Sequence, residues 1–190
     1  MATGILPGNH KIGTGKHIAT WSRTPGTTCP GMSEACAICY AVTMMRYDSV
    51  AKGWAERTVA PLPMIPASIE ICRIHVAGDF DTVEYIQSWI DKVRAHPNVM
   101  FWAYTRSWRI PELLPSLERL RAEPNMQLFA STDSTISEST PTGWRVAYLE
   151  TENYTTSGIV CPEQSGKKEN CDQCKYCFKG QKGDVRFLPH

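Results

Sequence analysis

The residues in this chain best suited to chemistry are its cysteines, eight among 190 residues. Three form a C-x6-C-x2-C run, Cys29-Pro-Gly-Met-Ser-Glu-Ala-Cys36-Ala-Ile-Cys39. A C-x2-C pair directs two thiolates at one metal centre, and Cys29 adds a third from the preceding loop. Three thiolates suit a four-iron cubane with one iron left open to a ligand. A structural zinc ion would need a fourth donor, for which His75 is the candidate, and the thiolate-rich set favours iron–sulfur over zinc.

The second set is Cys171-Asp-Gln-Cys174-Lys-Tyr-Cys177, preceded by Cys161-Pro162. C-x2-C-x2-C with a more distant Cys-Pro is the pattern of bacterial ferredoxin runs, and four thiolates complete a cubane. Lys167, Lys168, Lys175, Lys179, Lys182 and Arg186 are candidates to offset its negative charge. A zinc ribbon is the alternative, since four cysteines also satisfy tetrahedral zinc. Cys72 lies inside an apolar run, Ile69-Glu-Ile-Cys-Arg-Ile, and reads as a buried inert thiol.

The rest of the composition is that of a soluble globular chain, 42% hydrophobic and 21% charged with a formal charge of +1. So balanced a charge does not advertise a nucleic acid or membrane partner. The first sixteen residues contain no signal-like apolar stretch, and no segment approaches the length of a membrane helix. The expected setting is cytoplasmic, where thiols stay reduced and clustered cysteines bind metal.

Apolar runs alternate with helical periodicity, which predicts an α/β fold with mainly parallel strands. Strands are expected at His17–Ser22, Ile69–Val76, Val99–Tyr104, Met126–Ala130, Arg145–Leu149 and Gly158–Val160. Helices are expected at Tyr40–Thr58, with Met44, Tyr47, Ala51 and Trp54 on one face, and between an Asp81/Glu84 capping box and Pro97. A third helix is expected near Pro111–Ala122 or from Pro115, and none in Ser131–Thr142. The whole reads as a single domain, 1–190. Residues 1–155 form a partial βα barrel of about six strands, and 156–190 a loop-rich, metal-stapled extension.

Unusual polar residues follow these strands: Cys29, then Gly78-Asp79, Thr105-Arg106-Ser107, Ser131-Thr132-Asp133 and Cys161. In parallel α/β folds the carboxyl ends of strands are where ligands bind, so these placements gather the groups on one rim.

The run from Cys29 to Ala41, with Tyr40-Ala41 after the third cysteine and a helix following, resembles the three-Cys-motif phage proteins. These look like divergent radical S-adenosylmethionine (SAM) enzymes, whose common motif has three residues in the first gap instead of six. The resemblance extends through the order of elements to about Leu149. It implies two [4Fe-4S] clusters, with SAM chelating the open iron and an external reductant driving its cleavage to a 5′-deoxyadenosyl radical. It also implies that Gly78-Asp79, standing where such enzymes carry a Gly-Gly-Glu-like turn, receives the SAM amino group. Thr105, Arg106, Ser107, Ser131 and Thr132 would contact its carboxylate and ribose.

Two other functions remain open on the sequence. One is a non-enzymatic two-cluster protein for electron transfer or redox sensing. The other is a zinc-stapled module binding protein or nucleic acid through the basic C-terminal stretch with Tyr176, Phe178 and Phe187.

Overall fold

The computed structural model describes residues 4–150, 157–180 and 183–189. These residues form eight strands: β1 (Leu6–Pro7), β2 (Ile18–Trp21), β3 (Ile71–Ile74), β4 (Met100–Thr105), β5 (Met126–Asp133), β6 (Arg145–Leu149), β7 (Ile159–Val160) and β8 (Val185–Phe187). The helices are α1 (Tyr40–Met44), α2 (Asp48–Val59), α3 (Val83–Ala95), α4 (Leu114–Arg121) and the single turn α5 (Cys171–Cys174). One sheet takes all the strands in the order β1-β2-β3-β4-β5-β6-β8-β7. Every neighbouring pair is parallel except β1 against β2.

The sheet is open, with β1 and β7 at its edges. Strands β2 to β6 lie side by side in chain order, and the pairing establishes an open, mostly parallel α/β sheet where the sequence suggested a partial barrel. The two strands beyond the expected six, β1 and β8, are two and three residues long, too short to show a period. β7 and β8 belong to the same sheet as the rest, so the C-terminal segment is built into the fold. The expected boundary at residues 155 and 156 lies outside the described residues.

Alternation along the strands gives the sheet two buried faces. Ala19, Trp21, Cys72, Ile74, Phe101, Ala103, Leu128 and Ala130 pack with Ile86, Trp89, Ile90 and Val93 of α3 and Leu117 and Leu120 of α4. On the other face Ile18, Ile71, Trp102 and Phe129 meet Phe178, Cys161 and Cys177 of the C-terminal segment. Cys72 is fully buried in the first of these cores, and burial pushes its thiol pKa up, as an inert core thiol requires.

Several local expectations shift. The single helix over 40–58 is two, because Tyr47 is extended and caps α2. The buried face of α2 is Gly53, Trp54 and Arg57, while Met44 and Tyr47 are exposed. α3 is capped by Thr82, whose hydroxyl accepts from the Tyr85 N–H. Asp81 pairs instead with Arg23. α4 starts at Leu114, with Pro115 in the first turn, where its missing N–H costs nothing. β5 runs on through Ser131, Thr132 and Asp133, which are therefore the end of the strand and not the loop after it.

Candidate functional site: two cysteine-lined cavities at one end of the sheet

The segment between β2 and α1 carries Cys29, Cys36 (within a 3-10 turn, Glu34–Ile38) and Cys39 across the ends of β3, β4 and β5. It lies close to the backbone there: a Cβ on Gly31 would sit 2.0 Å from the Arg106 carbonyl oxygen, so only glycine fits. Arg109 holds the loop from the other side, donating to the Gly31 and Met32 carbonyls at 3.2 and 2.9 Å. Gly78, at φ +82°, makes the turn after β3. A side chain there would strike Thr28 Oγ1 at 2.7 Å as well as adopt a left-handed conformation.

These close approaches enclose a cavity of about 200 Å³. Of the residues singled out by sequence, Cys29, Cys36, Cys39, Gly78, Asp79, Arg106 and Ser131 line it. Thr105 and Ser107 do not line it but stand behind Asp79. The Thr105 hydroxyl donates to Asp79 Oδ1 at 2.6 Å, and the Ser107 N–H donates to Thr105 Oγ1 at 3.0 Å. Thr132 is buried within β5, away from the cavity wall.

Asp79 is the acid in the cavity wall. Oδ1 accepts from Thr105 Oγ1 and from the Phe80 N–H at 2.7 Å, and Oδ2 accepts from the Arg106 N–H at 2.8 Å. Three of about four acceptor positions are thus filled by the protein. Burial raises its pKa to about 6, against the opposing pull of those hydrogen bonds. Burial also lifts the Cys29 thiol to about 12, helped by the negative charge of Asp79 and by the other two cysteines.

A second polar knot fixes Cys36. Arg106 pairs with Asp133 and with the Ser33 hydroxyl, and its guanidinium lies 3.6 Å from Cys36 Sγ. Ser33 also donates to Asp133 Oδ2 at 2.7 Å. Burial works to raise the Asp133 pKa, but hydrogen bonds from Thr135 and Ser33 and the Arg106 charge together hold it below the ordinary value.

The C-terminal cysteines line a second, narrower cavity of about 20 Å³, and all four of them, Cys161, Cys171, Cys174 and Cys177, are in its wall. α5 is capped by Asn170, whose side chain accepts from the Gln173 N–H at 3.0 Å. Its end turns at Lys175, a non-glycine residue at φ +59°. The segment is anchored to the N-terminal loop by Cys171 N–H to Lys11 O and Asp172 N–H to Ile12 O, at 2.9 and 3.0 Å. Burial raises Cys171 to about 11 and Cys177 to about 12. The cations acting most on these thiols are Arg73 at Cys171 and Arg145 at Cys177. Of the expected basic residues, Arg186 is paired with Glu150, and Lys182 lies outside the described residues.

Among the described residues, no three His, Cys, Asp or Glu side chains converge tightly enough to hold a metal ion as the chain stands. The seven thiols instead stand round the walls of two cavities.

Residues 4–183 match the family model described as Gene product 88. The chain belongs to the Gene product 88 family. It is similar to the Gene 88 protein of Mycobacterium phage L5, at 26% identity over 92% of this chain and 87% of that protein. It is similarly related to the Gene 88 protein of Mycobacterium phage D29, at 25% identity over 92% of this chain and 88% of the relative. No solved structure matches the chain. The phage resemblance read at Cys29–Ala41 agrees with this membership; the names of the family and its relatives state no activity or cofactor.

In this Gene product 88 protein the site residues that sequence reasoning missed are Ser33, Arg73 and Tyr104, while Tyr40 and Asp133 were read in the motif and on the rim without a role. Arg73 and Tyr104 line both cavities. A cation inside the apolar run Ile69–Ile74 is a legible signal, because a strand covered on both faces has no solvent in which to leave a charge. The Arg106–Asp133 pair is a long-range contact with no local signature. Among the described residues no helix is long and apolar enough to cross a membrane.

Proposed function

We propose that this is an iron–sulfur protein holding two [4Fe-4S] clusters. One is bound by Cys29, Cys36 and Cys39 with one iron open, the other by Cys161, Cys171, Cys174 and Cys177. The observation that carries the proposal is the sorting of the cysteines. Three line one cavity, four line another, and the eighth is shut in the core. Thiols spread round a wall suit a polynuclear core, which is ligated at its corners, better than a single ion. The raised pKa values of Cys29, Cys171 and Cys177 fit a site that awaits a cationic core, because packing thiolates together out of water needs positive charge among them.

The larger cavity favours a site that admits a small molecule over a pure electron carrier. A radical-SAM-like reading fits that space. Cys29, Cys36 and Cys39 would hold the cluster, whose chemistry would be one-electron cleavage of the sulfonium S–C5′ bond to methionine and a 5′-deoxyadenosyl radical, with the electron drawn from an external reductant. The chain's own residues would do the positioning. Arg106, held by Asp133 and Ser33, offers a fixed cation beside Cys36 for a carboxylate. The remaining lone pair of Asp79 Oδ2 offers an acceptor for an amino group, and Ser131 offers a neutral polar contact.

A second reading has one observation of its own. The cavity among the four C-terminal cysteines is a tenth the size of the other, which suits a single zinc ion at that site. Anaerobic purification and metal analysis separate the two. About eight irons with matching sulfide per chain, as two four-iron cores require, supports two clusters; about four irons and one zinc supports the mixed form. Zinc alone after anaerobic reconstitution sinks the proposal. SAM-dependent release of 5′-deoxyadenosine after reduction then tests the enzymatic part, and calorimetry showing no SAM binding up to millimolar concentration removes it.

A further inference from the structure

Arg73 is a partly buried cation with no acidic partner among the described residues. It sits on β3 between Thr20 of β2 and Trp102 of β4 and is only partly exposed. Its Nε is buried and has no hydrogen-bond partner. Among the described residues it forms no ion pair, whereas Arg106 is paired with Asp133 and Arg186 with Glu150. Arg145, the other cation near the C-terminal thiols, donates to the Tyr176 and Cys177 carbonyls at 3.2 and 3.5 Å. What Arg73 does have is a ring, with its guanidinium 5.2 Å from the centroid of Tyr104. A charge drawn out of water needs a partner of opposite sign, and a quadrupole is a weak one.

Arg73 and Tyr104 also form the partition between the two cysteine cavities, since both residues line both.

We infer that Arg73 is the shared counter-cation of the two cysteine sites, so that the thiolate-ligated cluster of each, negative overall, is held against a single guanidinium. The inference rests on the two-cluster reading above. One cation between two anionic centres stabilises the more negative, reduced state of each. Tyr104 holds the guanidinium in the partition by a cation–π contact, which a lysine would not reproduce with the same geometry.

The test is an anaerobic redox titration followed by electron paramagnetic resonance, using Cys36→Ser and Cys174→Ser to leave one cluster at a time. Each is compared with and without Arg73→Gln. Removing the charge should lower the midpoint potential of the remaining cluster in both backgrounds, and Arg73→Lys should restore most of it. Should Arg73→Gln fold but shed iron, loss from both sites with recovery in Arg73→Lys is the same result read as loading. Iron retained at both sites with one potential unmoved, or iron lost from one site alone, overturns the shared role and leaves the two-cluster reading standing. Wild-type protein that takes up no iron fails that earlier reading, and this inference with it.

Discussion

Asp79→Asn isolates the electrostatics of the first cavity. In the folded chain Asp79 is fully desolvated and titrates at about 6, against an ordinary value of 3.8. A carboxyl whose pKa is raised by folding binds a proton in the native state that the unfolded chain does not bind. Stability therefore falls as pH rises from 3.8 through 6 and recovers on acidification. The full difference is worth ~3 kcal/mol, and RT ln of the proton-binding terms gives ~1.4 kcal/mol between pH 7 and pH 5. Asn removes the titration and the buried charge. It also turns one Nδ2–H toward a donor, either the Arg106 N–H or the pair from Thr105 and Phe80, at a cost of ~1–3 kcal/mol. Urea unfolding of both proteins in the same metal state, at pH 7 and pH 5, reads the result. The wild-type advantage over Asp79→Asn should grow by ~1.4 kcal/mol on acidification. Parallel pH curves, or a wild-type advantage that shrinks toward pH 5, would refute the assignment of a destabilising buried carboxylate.

Replacing Cys174 by Ser should remove about half of the bound iron and expose the segment around α5 to protease, because metal binding by a loop-rich stretch is part of its folding energy; unchanged iron content counts against the site. Gly31→Ala should cost ~1–3 kcal/mol in chemical denaturation, since its Cβ would overlap the Arg106 carbonyl. Arg106→Gln leaves the Asp133 carboxylate, which is fully buried, without its cation, and should cost ~3 kcal/mol at neutral pH; recovery in the Arg106→Gln/Asp133→Asn double variant would separate charge from packing. Leu117→Ala, under α4 in the main core, should lower stability by ~3 kcal/mol through the cavity it leaves, with metal content unchanged.

The strands that run deep in the sheet were readable from sequence because burial on both faces leaves continuous apolar runs, as in Val99–Tyr104 and Arg145–Leu149. The rim was readable too, because Cys29, Asp79 and Arg106 are unusual residues falling at strand ends. The three thiols and four of the seven predicted ligand contacts share one cavity wall. What escaped were relations and not residue types. That Asp79 is taken up by Thr105, Phe80 and Arg106, and that Asp133 reaches back to Ser33 one hundred residues away, depends on tertiary closure that no local period encodes. Pairing with β6 carried β5 past Ala130, where its pairing with β4 ends, through Ser131, Thr132 and Asp133, residues whose composition alone reads as loop. The break at Tyr47 lies in a stretch whose periodicity favoured one helix, where packing of Trp54 and Ala77 against Ala41 overrode it.

The strand order holds a consequence for synthesis. β8 is threaded between β6 and β7, and pairs with both. On a ribosome β7 emerges with no neighbour to receive it, and β6 presents a bare edge until residues 185–187 have left the exit tunnel. An unpaired parallel edge is a template for intermolecular association. The stretch that must be made in the meantime is the one carrying Cys171, Cys174 and Cys177. On the two-cluster proposal, capture of a metal core by that stretch would shorten the search β8 has to make and would link iron supply to the yield of correctly assembled chain during translation itself.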